Sequence, residues 1–390
     1  MMPRLQIVLE TLPDVPLVAG LPPAVRTAHL FGEEQSPCRG IFLAEEEGFL
    51  RRWGSRLPRI PWVLARKDGL PALKDLLEPD LPVLVLAARA LPDEESLKGL
   101  LGRVRDARSP VRLMQGQEVL AAWHPQAGIL RERLAALGPR KDVLFPLDGE
   151  AVEAGASWAF IQGPEHARCA EESLFASLPQ PTDGYIARFD RRFSMALSRI
   201  FLRLPVTPNQ ITAASLVIGL LGAAALTAAS YSVQVLGAVL LWSCCILDGC
   251  DGEVARLKLL CSPAGARFDV ISDNIVHAAV FIALPLHLRR MHPSAQVLLP
   301  GALLLSGFLL SALLVWRLVL IRPKRERTDM EILVERIASR DFFYLILLLT
   351  VLHRLDWFIW AAGVGANVFW ALLLAAHLRG RRAMGSPAEA

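Results

Sequence analysis

Asp248-Gly249-Cys250-Asp251-Gly252-Glu253-Val254-Ala255-Arg256, followed after eight residues by Gly265 and then by Asp269 and Asp273, is the stretch on which the reading of this chain turns. Asp248 and Asp251 are three apart, and Asp269 and Asp273 four apart. On helices, either spacing puts both acids on one face about a turn apart. The flanking sequence is strongly apolar, and from Leu204 to Leu247 there is no Asp, Glu, Lys or Arg. Acids at the end of a membrane helix are costly unless something compensates them, so they mark a functional site. One or two divalent cations with a phosphate ligand would compensate four clustered carboxylates. A solvated turn would account for Asp248 and Asp251. It would not account for Asp269 and Asp273, which open an apolar helix.

Composition agrees with a chain in two parts. Its 390 residues carry a net charge of +4 and are 53% apolar, with a mean hydropathy of +0.38. That is too apolar for a purely soluble protein and long enough for two domains. The charge-free run fits two spans of about 20 residues, with a turn near Ser230-Tyr231-Ser232. Further spans are predicted at Phe268–Leu288, Gln296–Leu320, Phe342–Leu352 with its flanks, and Trp357–His377. Six transmembrane helices within residues 205–380 are therefore expected, with a tail at 381–390.

Cations set the expected orientation. Arg188, Arg191, Arg192, Arg199 and Arg203 precede the first span, Arg322, Lys324, Arg325 and Arg327 follow the fourth, and Arg379, Arg381 and Arg382 follow the last. The positive-inside rule puts them all in the cytoplasm if there are six spans, and the four acids fall on the same side. Arg289, Arg290 and Arg354 oppose this weakly. Met1-Met2-Pro3-Arg4 leads into strand-like sequence with acids, so no cleavable signal peptide is expected. The expected location is the inner (cytoplasmic) membrane.

Residues 1–176 read as a soluble α/β domain. Apolar runs at Leu5–Leu9, Trp62–Ala65 and Val83–Ala87 alternate with helix-like stretches such as Glu94–Arg108 and Ala127–Leu137. Residues 177–204 form a linker and an amphipathic helix. Ile186, Phe189, Phe193, Leu197 and Ile200 recur at three or four residues with arginines between them, as in a helix lying on a membrane surface with its cations toward lipid phosphates. Six cysteines (Cys38, Cys169, Cys244, Cys245, Cys250, Cys261) show no metal-ligand spacing and are expected to be buried and reduced.

The run D-x2-D-G-x2-A-R-x8-G-x3-D-x3-D is met at every fixed position. It resembles the signature of the CDP-alcohol phosphotransferase family, integral membrane enzymes that move a substituted phosphate from a CDP-alcohol to a second alcohol and release CMP. Thr207-Pro208-Asn209-Gln210-Ile211-Thr212 resembles that family's entry into its first span. Divalent metal would neutralise a diphosphate and polarise the bond to be broken. Asp248, Asp251 and Asp269 are the expected ligands of Mg²⁺ or Mn²⁺, two ions in number, with Asp273 completing the site. Asp273 is also the candidate base for the incoming hydroxyl, a role the resemblance implies. Gly252, Ala255 and Gly265 leave room for nucleotide near the backbone, and Arg256 can pair with phosphate. Asn209 and Thr212 are candidates for bonding the nucleotide, although Thr207 and Pro208 also read as a helix cap. Arg336 and Arg340 are candidates for gripping an acceptor phosphate, and a plain topology signal accounts for that basic loop equally well.

The joint between the two parts narrows the resemblance. Ala170–Leu178, Pro181-Thr182-Asp183-Gly184 and Ser198-Arg199 look like the corresponding region of fused inositol-phosphate cytidylyltransferase/di-myo-inositol-phosphate-phosphate synthases. That group makes CDP-inositol in an N-terminal nucleotidyltransferase and uses it in the membrane half. Here Leu5–Leu9 leads into Glu10-Thr11-Leu12-Pro13, without the glycine-rich loop that cradles nucleotide phosphates. Ala87-Ala88-Arg89 and Ile161-Gln162-Gly163 lack the expected metal-binding acids. The N-terminal half reads as a degenerate, inactive nucleotidyltransferase-like domain, and an unrelated α/β domain is the competing view. CDP-diacylglycerol, with inositol phosphate or glycerol phosphate as acceptor, is the alternative to CDP-inositol. A cation-coupled transporter would place its acids near the midplane of inverted repeats, and neither feature is seen. The expected partners are a CDP-alcohol, an acceptor alcohol, the lipid bilayer and a second copy in a homodimer, with no nucleic acid.

Overall fold

The computed structural model describes residues 5–31, 39–44, 48–58, 60–66, 70–105, 107–137, 145, 149–155, 158–178, 185–291, 298–315 and 342–384. It divides into two compact units, Met1–Pro179 with Leu257–Leu259, and Gln180–Arg256 with Leu260–Ala390.

The first unit is built on a mixed sheet. Its strands are β1 (Gln6–Glu10), β2 (Arg39–Ala44), β3 (Trp62–Arg66), β4 (Val83–Leu86), β6 (Val111–Gln115), β7 (Glu118–His124) and β8 (Glu150–Glu153), in the order β3-β2-β1-β4-β7-β6-β8. A separate short pair joins β5 (Ala90–Leu91) to β9 (Ala159–Phe160). β3, β2, β1 and β4 run parallel, and β7 turns the sheet antiparallel.

Parallel strands covered on both faces read as unbroken apolar runs, and every residue of β1 and β4 is buried. Alternate residues feed two cores. Ile7, Leu9, Phe42, Leu84 and Leu86 pack with Val25 of α1 (Pro23–Leu30) and Leu97 and Leu101 of α4 (Glu94–Val104). Val8, Ile41, Leu43, Val83 and Val85 pack with Leu73 of α3 (Leu70–Leu76) and Leu130 and Leu134 of α5 (Ala127–Leu137). Two further helices, α2 (Phe49–Trp53) and α6 (Pro164–Ala176), complete the unit.

The chain steps from β1 outward to β2 and β3, then returns to place β4 on the other side of β1. Ligand crevices in such sheets form at the strand ends beside this reversal. A cavity of about 460 Å³ lies there, lined by Glu10, Ala87, Ala88, Arg89, Glu118 and Phe160 among others.

The second unit is helical: α7 (Tyr185–Arg203), α8 (Pro208–Leu226), α9 (Tyr231–Leu257), α10 (Pro263–Met291), α11 (Leu298–Val315), α12 (Phe342–Val351) and α13 (Leu355–Met384). By length and composition, α8, α9, α10 and Leu355–Leu372 of α13 can cross a membrane. Leu299–Leu314 and Phe342–Val351 are apolar but shorter. Among the described residues there are thus four candidate spans where six were expected. The predicted end of the fourth span at Leu320 lies outside the described residues.

Ala223, Leu241, Val276, Val280, Ile346, Phe358 and Ile359 share one buried core. Val217, Leu221, Leu236, Ile282, Leu309, Leu313 and Trp357 are exposed on the outside. An apolar exterior of this extent suits lipid rather than water, and the unit is membrane-embedded. Small residues let the helices close up. A Cβ added at Gly222 would lie 2.9 Å from the Gly237 carbonyl oxygen, and one at Gly237 would lie 2.8 Å from that of Gly222.

Two expectations about cysteines fail. Cys244 and Cys250 are buried, but Cys169 and Cys261 are exposed. Cys169 lies on the side of α6 away from its buried residues Ala167, Ala170 and Phe175, and Cys261 lies in the turn between α9 and α10. Cys38 lies outside the described residues.

Candidate active site

Three of the acids converge. Asp248 and Asp251 come from the last turns of α9 and Asp269 from the second turn of α10, and one oxygen of each lies within 4.8 Å of the others. Asp248 and Asp251 are buried and Asp269 is half-buried. Carboxylates this close in a desolvated setting repel strongly unless a cation sits among them. Asp269 Oδ1 is buried and finds no hydrogen-bond partner among the described residues. That orphaned oxygen, beside two further carboxylates, fits a hard divalent cation that takes oxygen ligands. Asp273 is not one of the three. It sits one turn further along α10, close enough to Asp269 and Asp251 to interact electrostatically.

The start of α8 supplies the next layer. Pro208 stands at the first helical position, and Gln210 Oε1 accepts the Thr207 backbone N–H at 2.9 Å. The capping reading of Thr207 and Pro208 is therefore realised in the backbone. Thr212, one turn on, is buried. Its hydroxyl bonds the Asp251 carboxylate and lies 3.2 Å from the Pro208 carbonyl oxygen. The structure thus gives Thr212 a protein partner in Asp251. Asn209 is exposed. A Cβ at Gly265 would come within 3.2 Å of Asn209 Oδ1 and 3.0 Å of Ser262 Oγ. A side chain there would crowd the place where the N-terminal ends of α8 and α10 meet.

The remaining predicted residues surround this cluster. Gly252 and Ala255 are half-buried and Arg256 is exposed. A Cβ at Gly252 would lie 3.5 Å from the Arg256 guanidinium. Arg336 and Arg340 lie outside the described residues.

Sequence reasoning gave no role to Glu253. It is buried, accepts hydrogen bonds from Ser194 Oγ at 2.7 Å and Ser198 Oγ at 2.8 Å, and has the Arg191 guanidinium 3.7 Å away. The available signal was a charged residue inside a helix end together with serines four apart on the amphipathic helix before it.

The sequence profile of the family described as CDP-alcohol phosphatidyltransferase matches residues 205–376. A bifunctional IPC transferase and DIPP synthase of Rubrobacter xylanophilus is 35% identical over 156 residues, covering 39% of this chain and 35% of that protein. One from Aquifex aeolicus is 33% identical over 138 residues, covering 35% of this chain and 31% of that one. The matched stretch thus spans about a third of the length of these curated relatives. Among solved structures, the phosphatidylinositol phosphate synthase of Mycobacterium tuberculosis with CDP-DAG bound is 18% identical. It covers 47% of this chain and 93% of that one at a TM-score of 0.35. The match to that family's profile spans the acid cluster, the α8 entry and the helices that carry them.

Proposed function

We propose that the membrane half transfers a substituted phosphate from a CDP-alcohol to an acceptor alcohol and releases CMP. The observation that carries this reading is the convergence of Asp248, Asp251 and Asp269 within 4.8 Å. These three, with Asp273 at the edge, would hold Mg²⁺ or Mn²⁺, two ions in number. Bound metal would neutralise the diphosphate and polarise the bond to CMP. The chain's own groups do the rest. Arg256, Asn209 and the N-terminal ends of α8 and α10 offer positive charge and N–H donors to phosphate oxygens, and Gly252, Ala255 and Gly265 leave the backbone accessible. The acceptor oxygen bonds to the phosphorus that carries the donor alcohol, and the P–O bond to CMP breaks. CMP leaves with the electron pair, and the hydroxyl proton passes to Asp273.

The relatives named as IPC transferase and DIPP synthase favour an inositol-type donor and acceptor over CDP-diacylglycerol. α11 and α12 would bring the spans to six, with the acids and the N-terminal unit on the cytoplasmic side of the inner membrane, in a homodimer. Arg336 and Arg340 would grip an acceptor phosphate.

The N-terminal unit is read as an inactive relative of nucleotidyltransferases that serves the membrane half without chemistry of its own. Support comes from the ends of β1 and β4, where Glu10-Thr11-Leu12-Pro13 and Ala87-Ala88-Arg89 offer neither a glycine loop nor a metal-binding pair of acids. The test is a panel of CDP-alcohols and acceptors given to the purified protein with Mg²⁺ and scored by CMP release. Release from CDP-inositol with inositol phosphate supports the reading; no release from any pair contradicts it.

A further inference from the structure

Glu253 faces away from the acid cluster. It lies two residues beyond Asp251, about 200° round the helix. The side of α9 that it occupies is the one α7 packs against. Ile246, Cys250 and Val254 are buried there with Leu197 and Phe201 of α7, and Phe193 meets Trp242 edge-on at 5.5 Å. A Cβ at Gly249 would lie 3.4 Å from Ser194 Cβ, at contact distance, so α7 and α9 approach closely there.

A buried carboxylate adds cost, which is offset only by good partners. Its partners here are specific in register. Oε1 takes Ser194 and Oε2 takes Ser198, four residues apart on α7, with Arg191 at 3.7 Å from Oε1. A slip or rotation of α7 by one residue would break both hydrogen bonds.

The register matters because α7 leads almost directly into α8. It ends at Arg203 and α8 begins at Pro208, leaving a four-residue joint stiffened by Pro205. One turn into α8, Thr212 bonds Asp251. A closed circuit results: Glu253 to α7, α7 through the joint to α8, and α8 through Thr212 back to Asp251. We propose that Glu253 is a positioning residue, which fixes α7 on α9 and thereby sets where Thr212 and Asn209 stand against the acid cluster. This rests on the reading of that cluster as a metal and diphosphate site.

The test uses full-length protein purified in detergent, with Mn²⁺ binding followed by electron paramagnetic resonance and CMP release measured alongside. Glu253→Ala is expected to weaken Mn²⁺ binding roughly ten-fold or more, the usual scale for losing a group that orients a ligand, with turnover falling in parallel. Glu253→Gln, which keeps hydrogen-bonding atoms for both serines, is expected to recover most of both. Ser194→Ala/Ser198→Ala is expected to weaken Mn²⁺ binding as Glu253→Ala does, and it decides the matter if Glu253→Ala fails to fold. Wild-type Mn²⁺ binding in a folded Glu253→Ala or double-serine variant would overturn the proposal. Wild-type protein that binds Mn²⁺ but releases no CMP would overturn the transferase reading instead, and the Mn²⁺ comparison would still decide the role of Glu253.

Discussion

The Thr212 hydroxyl on α8 donates to the Asp251 carboxylate on α9, tying the entry of one membrane helix to the acid-bearing end of the next. In the proposed metal site, a threonine so placed would orient a ligand oxygen without touching the ion itself. Thr212→Val keeps the shape and removes the donor. Turnover is expected to fall by about 10–100-fold while the protein stays folded, and Thr212→Ser is expected to restore it. Steady-state CMP release measures both, and an unaffected valine variant would remove Thr212 from the account.

Asp273 lies one turn beyond Asp269 on α10, at the edge of the three convergent acids, where it would take the base's role and a peripheral place beside the metal. Asp273→Asn is expected to cut kcat by about 10²–10⁴-fold, the range for loss of a general base. Mn²⁺ binding is expected to weaken only modestly, whereas Asp251→Asn is expected to abolish it. Loss of Mn²⁺ binding in both variants to the same degree would make Asp273 a principal ligand and remove it as the base.

The contact between α8 and α9 at Gly222 and Gly237 leaves no room for a side chain. Gly222→Leu is expected to cost roughly 1–3 kcal/mol through overpacking, read as a lower thermal midpoint in detergent. An unchanged midpoint would mean that the helices do not approach as closely as the structure places them.

In the N-terminal unit, burial pushes the pKa of His29 below its ordinary value of 6.5, and its hydrogen bond at 2.5 Å to the Arg56 carbonyl oxygen opposes this in part. The unfolded chain therefore takes up a proton on this ring more readily than the folded one. The contribution of His29 to stability is full above the ordinary histidine range and is lost as pH falls below it. The thermal midpoint of wild type is expected to drop more between pH 7.5 and 5.5 than that of His29→Asn. Equal drops would contradict this.

How far the sequence carries depends on what each feature needs. The acids were legible because spacings of three and four settle a helix face without knowledge of the fold, and Asp248, Asp251 and Asp269 do face one another. The partners of Thr212 and Glu253 were not, since they depend on which side of α9 meets α8 and which meets α7. β1, β3 and β4 stood out as apolar runs. β8 did not, because all four of its residues are at least partly exposed. β6 alternates buried and half-buried positions over four residues and ends on an exposed one, too short a pattern to separate from a loop. The last two of the six expected spans rest on α11 and α12, whose described apolar stretches fall short of a full crossing.

The most direct measurement is CMP release by the purified protein, supplied with a CDP-alcohol and an acceptor and titrated with Mg²⁺, in wild type and in Asp248→Asn. The account predicts Mg²⁺-dependent release in wild type, abolished by chelation and by the single substitution. Release that continues undiminished in Asp248→Asn, or without divalent cation, would contradict it.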